Sequence, residues 1–204
     1  MTPDEMKDEK RERILEIALK RFTHYGMEKT TMSEIADDLG ASKASLYYYF
    51  PDKKGLCLAV TEKLFEGYFD DLTNKIKQSK SADSALLQVL EVRHDLVRRH
   101  FLFLMYFKQL HDNKQLEQFL DNRFRLREKE LVADCIQEGV WNGDYEVVNV
   151  AEAADVYLDV IESIPMLMFK RDNYKLPDAE TFSQVMRKTL VAAHYVIRGF
   201  HKAA

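Results

Sequence analysis

The stretch Thr31–Leu56, TMSEIADDLGASKASLYYYFPDKKGL, decides how this chain reads. Thr31 is a good helix cap, and Glu34 three positions later closes a capping box. Ile35, Ala36 and Leu39 fall on one helical face. Gly40 ends that helix, since glycine takes a positive φ at no steric cost. Only Ala41 separates it from Ser42, a second good N-cap. So short a turn forces the two helices to cross steeply. The crossing needs a small residue where the backbones meet, and Ala36 supplies it. Leu46 and Phe50, four apart, anchor the second helix inward. Lys43, Ala44, Ser45, Tyr47, Tyr48 and Tyr49 are left to its outer faces and flanks. This is the pattern of a DNA-binding helix-turn-helix, whose second helix enters the major groove by its N-terminal end.

A bare helix-turn-helix is a weak match, because many compact helical pairs share its small-residue spacing. Here Leu46-Tyr47-Tyr48-Tyr49-Phe50 is followed, after two residues, by Lys53. That run resembles the signature of the tetracycline-repressor (TetR/AcrR) family of bacterial regulators. The resemblance is specific from about Arg13 to Leu58, and beyond that extends in length and helical pattern. It implies an all-α chain. Residues 1–55 form a three-helix DNA-binding domain, joined by a long helix to a ligand-binding and dimerisation domain over 56–204. It implies a ligand-responsive transcriptional regulator, a repressor that binds a palindromic operator in double-stranded DNA as a homodimer. A small, partly apolar molecule then releases it.

The residues of the motif suit that task. Ser42 brings a helix N-terminus and a hydroxyl towards a phosphate, and Thr31 does so from the first motif helix. Lys43 is a donor for guanine O6 or N7. Ala44 lets the backbone approach closely or touches a thymine methyl. Members of the family often have Gly at this place, so Ala44 implies an altered base preference. Ser45 donates or accepts and reads little. By resemblance Tyr47 faces the groove, while Tyr48, Tyr49 and Lys53 contact backbone phosphates. Tyr47 is nearly as well suited to packing, since amphipathic rings pack and hydrogen-bond at once.

The 204 residues are 46% hydrophobic and 31% charged, as in ordinary globular proteins, and only seven Gly and four Pro interrupt them. Net charge is −4, and residues 1–55 hold 10 Lys and Arg against 11 Asp and Glu. A basic domain is therefore absent, and the case for DNA rests on where Lys29, Lys43, Lys53 and Lys54 fall. No apolar run is long enough to cross a membrane, and the charged N-terminus does not read as a signal peptide. The expectation is a cytoplasmic protein. Cys57 and Cys135 suggest no disulfide framework.

Along the chain, the first helix runs to Tyr25, with Ile14, Ile17, Ala18, Phe22 and Tyr25 inward. Lys10, Arg11 and Arg13 either approach phosphates or form a solvated face, the latter favoured. A long helix runs from about Lys53 to Ser79. Helices follow over about Asp83–Arg99, Phe101–Leu110 (FLFLMYFKQL) and Asn113–Glu138. The last two helices, about Val148–Arg171 and Pro177–His201, carry apolar stripes wider than one small core needs. Paired with their twofold copies they would make a four-helix dimer interface, as the resemblance implies; the alternative is that both helices cap the domain's own core.

Candidate ligand-lining residues are the large or pliable Phe65, Phe69, Phe101, Met105, Tyr106, Trp141, Tyr157 and Met168, with His94 as a polar fixer. Any one of them is more often plain core. His94 and His100 are six apart, which does not place them on one helix face, so no metal is expected. No motif for a nucleophile, carboxylate pair or phosphate loop is present, so neither an enzyme nor a cofactor is expected. The alternative reading is a helical protein- or lipid-interaction module that has lost DNA binding, suggested by the acidic head.

Overall fold

Capping chemistry sets where the first helices begin. In the computed structural model, α1 (Pro3–Tyr25) starts at Thr2, whose hydroxyl accepts from the Glu5 N–H while Glu5 accepts from the Thr2 N–H. α2 (Met32–Leu39) starts in the same way at Thr31 with Glu34, and Gly40 ends it at φ 66°. α3 (Lys43–Tyr49) is capped by Ser42, whose Oγ accepts from the Ser45 N–H at 3.2 Å. α4 (Lys53–Gln78) follows, with Asp52 accepting from the Gly55 N–H at 2.7 Å. Then come α5 (Ala82–Gln109), a π-helical turn (Leu120–Arg125), α6 (Leu126–Trp141), α7 (Val150–Arg171) and α8 (Ala179–Phe200). The structure describes residues 2–109, 120–171, 173 and 175–202, and the side chains of 3, 4, 106–109 and 120–122 lie outside that description. The fold is all-α, and among the described residues no helix is long and apolar enough to cross a membrane.

Two expectations change in detail. The helices expected over Asp83–Arg99 and Phe101–Leu110 are one element, α5, broken at His100, where φ −123° and ψ 28° leave the helical range. His100 Nδ1 lies 2.8 Å from Thr23 Oγ1, which holds the break in place. The helix expected over Asn113–Glu138 falls partly outside the described residues, and α6 runs on through Gly139 to Trp141.

The chain divides into two compact units, Met1–Gly67 with Arg99–Leu116, and Tyr68–Arg98 with Glu117–Ala204. α4 and α5 each contribute residues to both. In the first unit Ile14, Leu15, Ala18, Phe22, Ile35, Ala36, Leu46 and Phe103 are fully or almost fully buried. Ala36, on α2, is fully enclosed. Phe22 and Phe103 stack at 5.6 Å with planes 6° apart. Tyr25, expected inward, is instead 53% exposed, its ring covered by the Arg21 guanidinium at 5.5 Å. Leu15 and Met27 take up the buried positions.

The second unit is built on Leu72, Leu86, Val89, Ile136, Leu158, Ile161, Ala193 and Ile197. Inside it Glu128, 1% exposed, accepts hydrogen bonds from the Tyr68 hydroxyl and the Arg93 guanidinium. Arg93 also reaches Glu162 at 3.2 Å, Glu162 pairs with Arg125 at 3.1 Å, and Arg125 with Asp159 at 2.6 Å. These ion pairs tie α5, the π-helical turn, α6 and α7 together. Burial opposes the charge on Arg93, yet Glu128 and Glu162 hold its pKa above the usual guanidinium value.

Gly139 shows why α6 tolerates a glycine. A Cβ there would lie 2.3 Å from Tyr145 Cδ2. Tyr145 is 1% exposed and its hydroxyl donates to Asp83 at 2.5 Å, so the ring cannot swing away. Gly139→Ala is expected to destabilise by about 1–3 kcal/mol through overpacking. Gly67→Ala, where nothing lies within 4 Å, should instead gain about 0.5–1 kcal/mol. Urea midpoints at unchanged m-value read both, and a Gly139→Ala protein as stable as the parent would refute the contact.

Buried neutral groups make the fold sensitive to alkali. Burial raises the pKa values of Tyr68, Tyr145 and Tyr157, and pushes both Cys57 and Cys135 up to about 12. Each folded-state value lies above its unfolded one, about 8.5 for Cys and 10 for Tyr. Their contribution is therefore complete below those unfolded values and is lost as pH rises towards the folded ones. The unfolding free energy is expected to hold to about pH 8 and fall from about pH 9 upward. Urea titrations from pH 7 to 11 check this, and a flat profile would contradict the burial. Both thiols should also resist a thiol reagent until the protein unfolds.

Candidate nucleic-acid interface

Only the short turn Gly40-Ala41-Ser42 separates α2 from α3, and burial of Leu46 and Phe50 fixes the roll of α3. That roll turns Lys43 and Ala44 fully outward, leaves Ser45 half-buried, and exposes Tyr47 to 46% and Tyr48 to 70%. Tyr49 is half-buried and meets Tyr48 edge to face at 5.2 Å. Ser42 is exposed, its oxygen accepting the cap bond while its proton stays available to an acceptor. The Thr31 hydroxyl is exposed but engaged. It accepts from the Glu34 N–H and donates to the Glu34 carboxylate at 2.8 Å. Lys53, in the first turn of α4, is half-buried, and Lys54 beside it is exposed.

Four of the head's acidic residues pair with cations of the same unit. Arg21 binds Asp38 at 2.5 Å and Glu34 at 3.4 Å, which joins α1 to α2. The Arg21 bonds hold the Asp38 carboxyl below its usual range, while Glu34 is lowered chiefly by its bonds to Thr31. Lys63 lies 2.6 Å from Glu12 and 3.3 Å from Glu16. Four carboxylates are thus paired with cations inside the first unit, leaving Lys43 and Lys54 outward beside the tyrosines.

The first turns of α1 join this surface. Lys7 Nζ stands 5.6 Å over the Tyr48 ring, and the Arg11 guanidinium 5.5 Å over Phe50. The sequence favours a solvated face for this segment and does not single out Lys7. A signal is nevertheless present, since Phe22, Ala18, Leu15, Arg11 and Lys7 continue one stripe at steps of three or four. The stripe turns from apolar to basic where it leaves the core.

The candidate ligand-lining residues are divided between the two units. Phe65, Phe101 and Met105 are buried in the first. Phe69 and Tyr157 are buried in the second, where the Tyr157 hydroxyl donates to the Leu86 carbonyl at 2.6 Å. His94 and Met168 are half-buried, and Trp141, at the end of α6, is 79% exposed. The Tyr106 side chain lies outside the described residues. Arg93 and Glu128, the most buried charged pair of this unit, were not anticipated. Their only sequence signal is a charge on an otherwise apolar helical face.

Comparison with known proteins bears on this surface. A model of the bacterial regulatory proteins of the tetR family matches residues 14–60, the span of the helix-turn-helix and its flanks. The HTH-type transcriptional regulator SAUSA300_2515 of Staphylococcus aureus (strain USA300) is 34% identical over 113 residues, 55% of this chain and 54% of that protein. The chain spans about half the length, or less, of the curated relatives it matches. The crystal structure of a transcriptional regulator from Cytophaga hutchinsonii ATCC 33406 superposes with a TM-score of 0.84 at 31% identity, covering 94% of this chain and 98% of that one. The regulator FadR from Bacillus subtilis, solved in complex with stearoyl-CoA, shares the fold at a TM-score of 0.69 and 17% identity, covering 93% and 98%.

Proposed function

Because the chain belongs to the TetR family of bacterial regulatory proteins, we propose that it is a ligand-responsive transcriptional repressor working as a homodimer on a palindromic operator. The observation that carries this reading is the outward row on α3, with Lys43, Ala44 and Tyr47 free on a helix whose other side is locked by Leu46. Lys43 donates to guanine, Ala44 lies against the base edges, and Tyr47 enters the groove beside them. Ser42, Ser45, Tyr48, Tyr49 and Lys53 hold the flanking phosphates. Thr31 assists by fixing the start of α2, its hydroxyl being held by Glu34. Residues 1–55 carry this surface, and 56–204 serve ligand binding and dimerisation.

The dimer reading is supported by α7 and α8, which pack on each other. Val156 and Leu167 on α7, and Val191 and Tyr195 on α8, are 48%, 60%, 50% and 72% exposed. Apolar residues left out at helical spacing on two adjacent helices suit a twofold copy of the same pair. Two heads so joined read half-sites about 34–36 Å apart. FadR shows that a protein of this fold takes an amphipathic ligand. Here a small molecule releases the operator by binding the DNA-free form more tightly, and a hundredfold preference supplies about 2.7 kcal/mol.

Selection of bound duplexes from a random pool, followed by salt titration of the winner, tests the reading. An enriched palindrome with a steep salt slope is expected. No enrichment at low salt would refute it.

A further inference from the structure

The flank of α8 that faces α5 carries a groove of about 720 Å³, within the usual size of a small-molecule site. It lies wholly within the second unit. α8 supplies Phe182, Met186, Leu190 and Arg187, and α5 supplies His94 and Arg98. The floor of the groove is turned away from the apolar stripe assigned to the dimer, whereas its rim residue Arg187 borders that stripe, four residues and about 40° from Val191. Met186 and Val191 are five residues apart on α8, about 140° around the helix. From Ala179 to Leu190 the helix follows the groove for about 16 Å.

The floor and the rim differ in chemistry. Phe182 is held edge-on between His94, 6.1 Å away, and Phe169, 5.8 Å away. Met186 and Leu190, one and two turns on, are half-buried, so apolar surface is left in the groove. Arg187 and Arg98 stand exposed at the rim. Arg98 lies 3.1 Å from Asp95, an exposed pairing that leaves guanidinium donors over. Burial keeps the pKa of His94 below its ordinary value, with Asp95 and Arg98 as its opposing charged neighbours, so the ring is neutral at pH 7 and offers one N–H. Two guanidinia above a strip of Phe, Met and Leu match a planar anion on an alkyl chain, since the guanidinium fork fits a carboxylate.

We propose that this groove binds an amphipathic carboxylate. The chain lies along Phe182, Met186 and Leu190, and the carboxylate meets Arg187 and Arg98. A cation of the same length is repelled at the rim, and a neutral alcohol loses the head-group contacts. The site is defined by its own geometry and stands whether or not the protein reads an operator.

Titration calorimetry of the full-length protein with decanoate below its micellar concentration, without DNA, tests the proposal. Decanoate is expected to bind saturably. Arg187→Glu, at an exposed position, should weaken it at least tenfold while the melting temperature stays unchanged. Arg98→Gln and Arg187→Gln provide milder variants should charge reversal disturb the fold. Decanol and decyltrimethylammonium should bind at least tenfold more weakly than decanoate. No binding of decanoate, equal binding by the Arg187→Glu protein, or equal binding of decanol would each overturn the site. A failed duplex selection would not affect these readings, and failure of the groove would leave the operator reading standing.

Discussion

Replacing Glu128 with Ala is expected to destabilise the protein by about 3–5 kcal/mol, the usual cost of removing one partner of a buried ion pair. The magnitude follows from what remains. Glu128 is 1% exposed and accepts from both Tyr68 and Arg93. Without it the Arg93 guanidinium keeps Glu162, a carboxylate nearer the surface, and the Tyr68 hydroxyl is left buried without that acceptor. A double replacement, Glu128→Leu with Arg93→Met, removes both charges together and should be more stable than Glu128→Ala, because the buried guanidinium goes with its chief partner and Glu162 keeps Arg125. Urea unfolding of the three proteins decides the matter. A cost below about 1 kcal/mol for Glu128→Ala, the range of surface pairs, would mean that water reaches this site.

Replacing Lys43 with Ala is the second large effect, and it should appear only on the selected operator. A good base contact is worth about 1–3 kcal/mol of discrimination, and the proposed homodimer would make it twice, so about 2–6 kcal/mol is expected in total. Affinity for scrambled duplex should barely change. Lys53→Ala is the contrast, weakening operator and scrambled duplex alike and reducing the salt slope by about 1 for each phosphate left without its cation. Anisotropy titrations of both variants on both duplexes separate the roles. If Lys43→Ala weakened both duplexes equally, Lys43 would be a phosphate ligand and the reading element would lie elsewhere on α3.

The head is legible in the sequence because its signals are local. Thr31 with Glu34, Gly40 and Ser42 act within one turn, and the structure uses each as the sequence suggests. Tyr25 misleads because periodicity places a residue on a face and does not say where the face leaves the core. One turn past Phe22, α1 has run out of neighbours and Arg21 covers the ring instead. Lys7 and Arg11 are easily underrated for the converse reason, since a basic residue at an inward position looks like an interruption until Tyr48 and Phe50 are seen opposite. The Arg93–Glu128 pair and the groove beside Phe182 are joined across 35 and 88 positions of sequence respectively, and no local pattern encodes which distant charges or rings will meet.

The break at His100 bears on where the molecule can be cut. Beyond that break α5 returns to the first unit, and Phe103 lies flat against Phe22 while His100 meets Thr23. The head is therefore not a transplantable cassette ending with α4. A fragment stopped at Gly67 would lose Phe101 and Phe103, both nearly inaccessible to solvent in the intact chain, and would bare Phe22. A chimera that grafts this head onto another regulator's body should carry the second half of α5 with it. The helical seam, rather than a linker, is the boundary across which an engineer would have to match sequences.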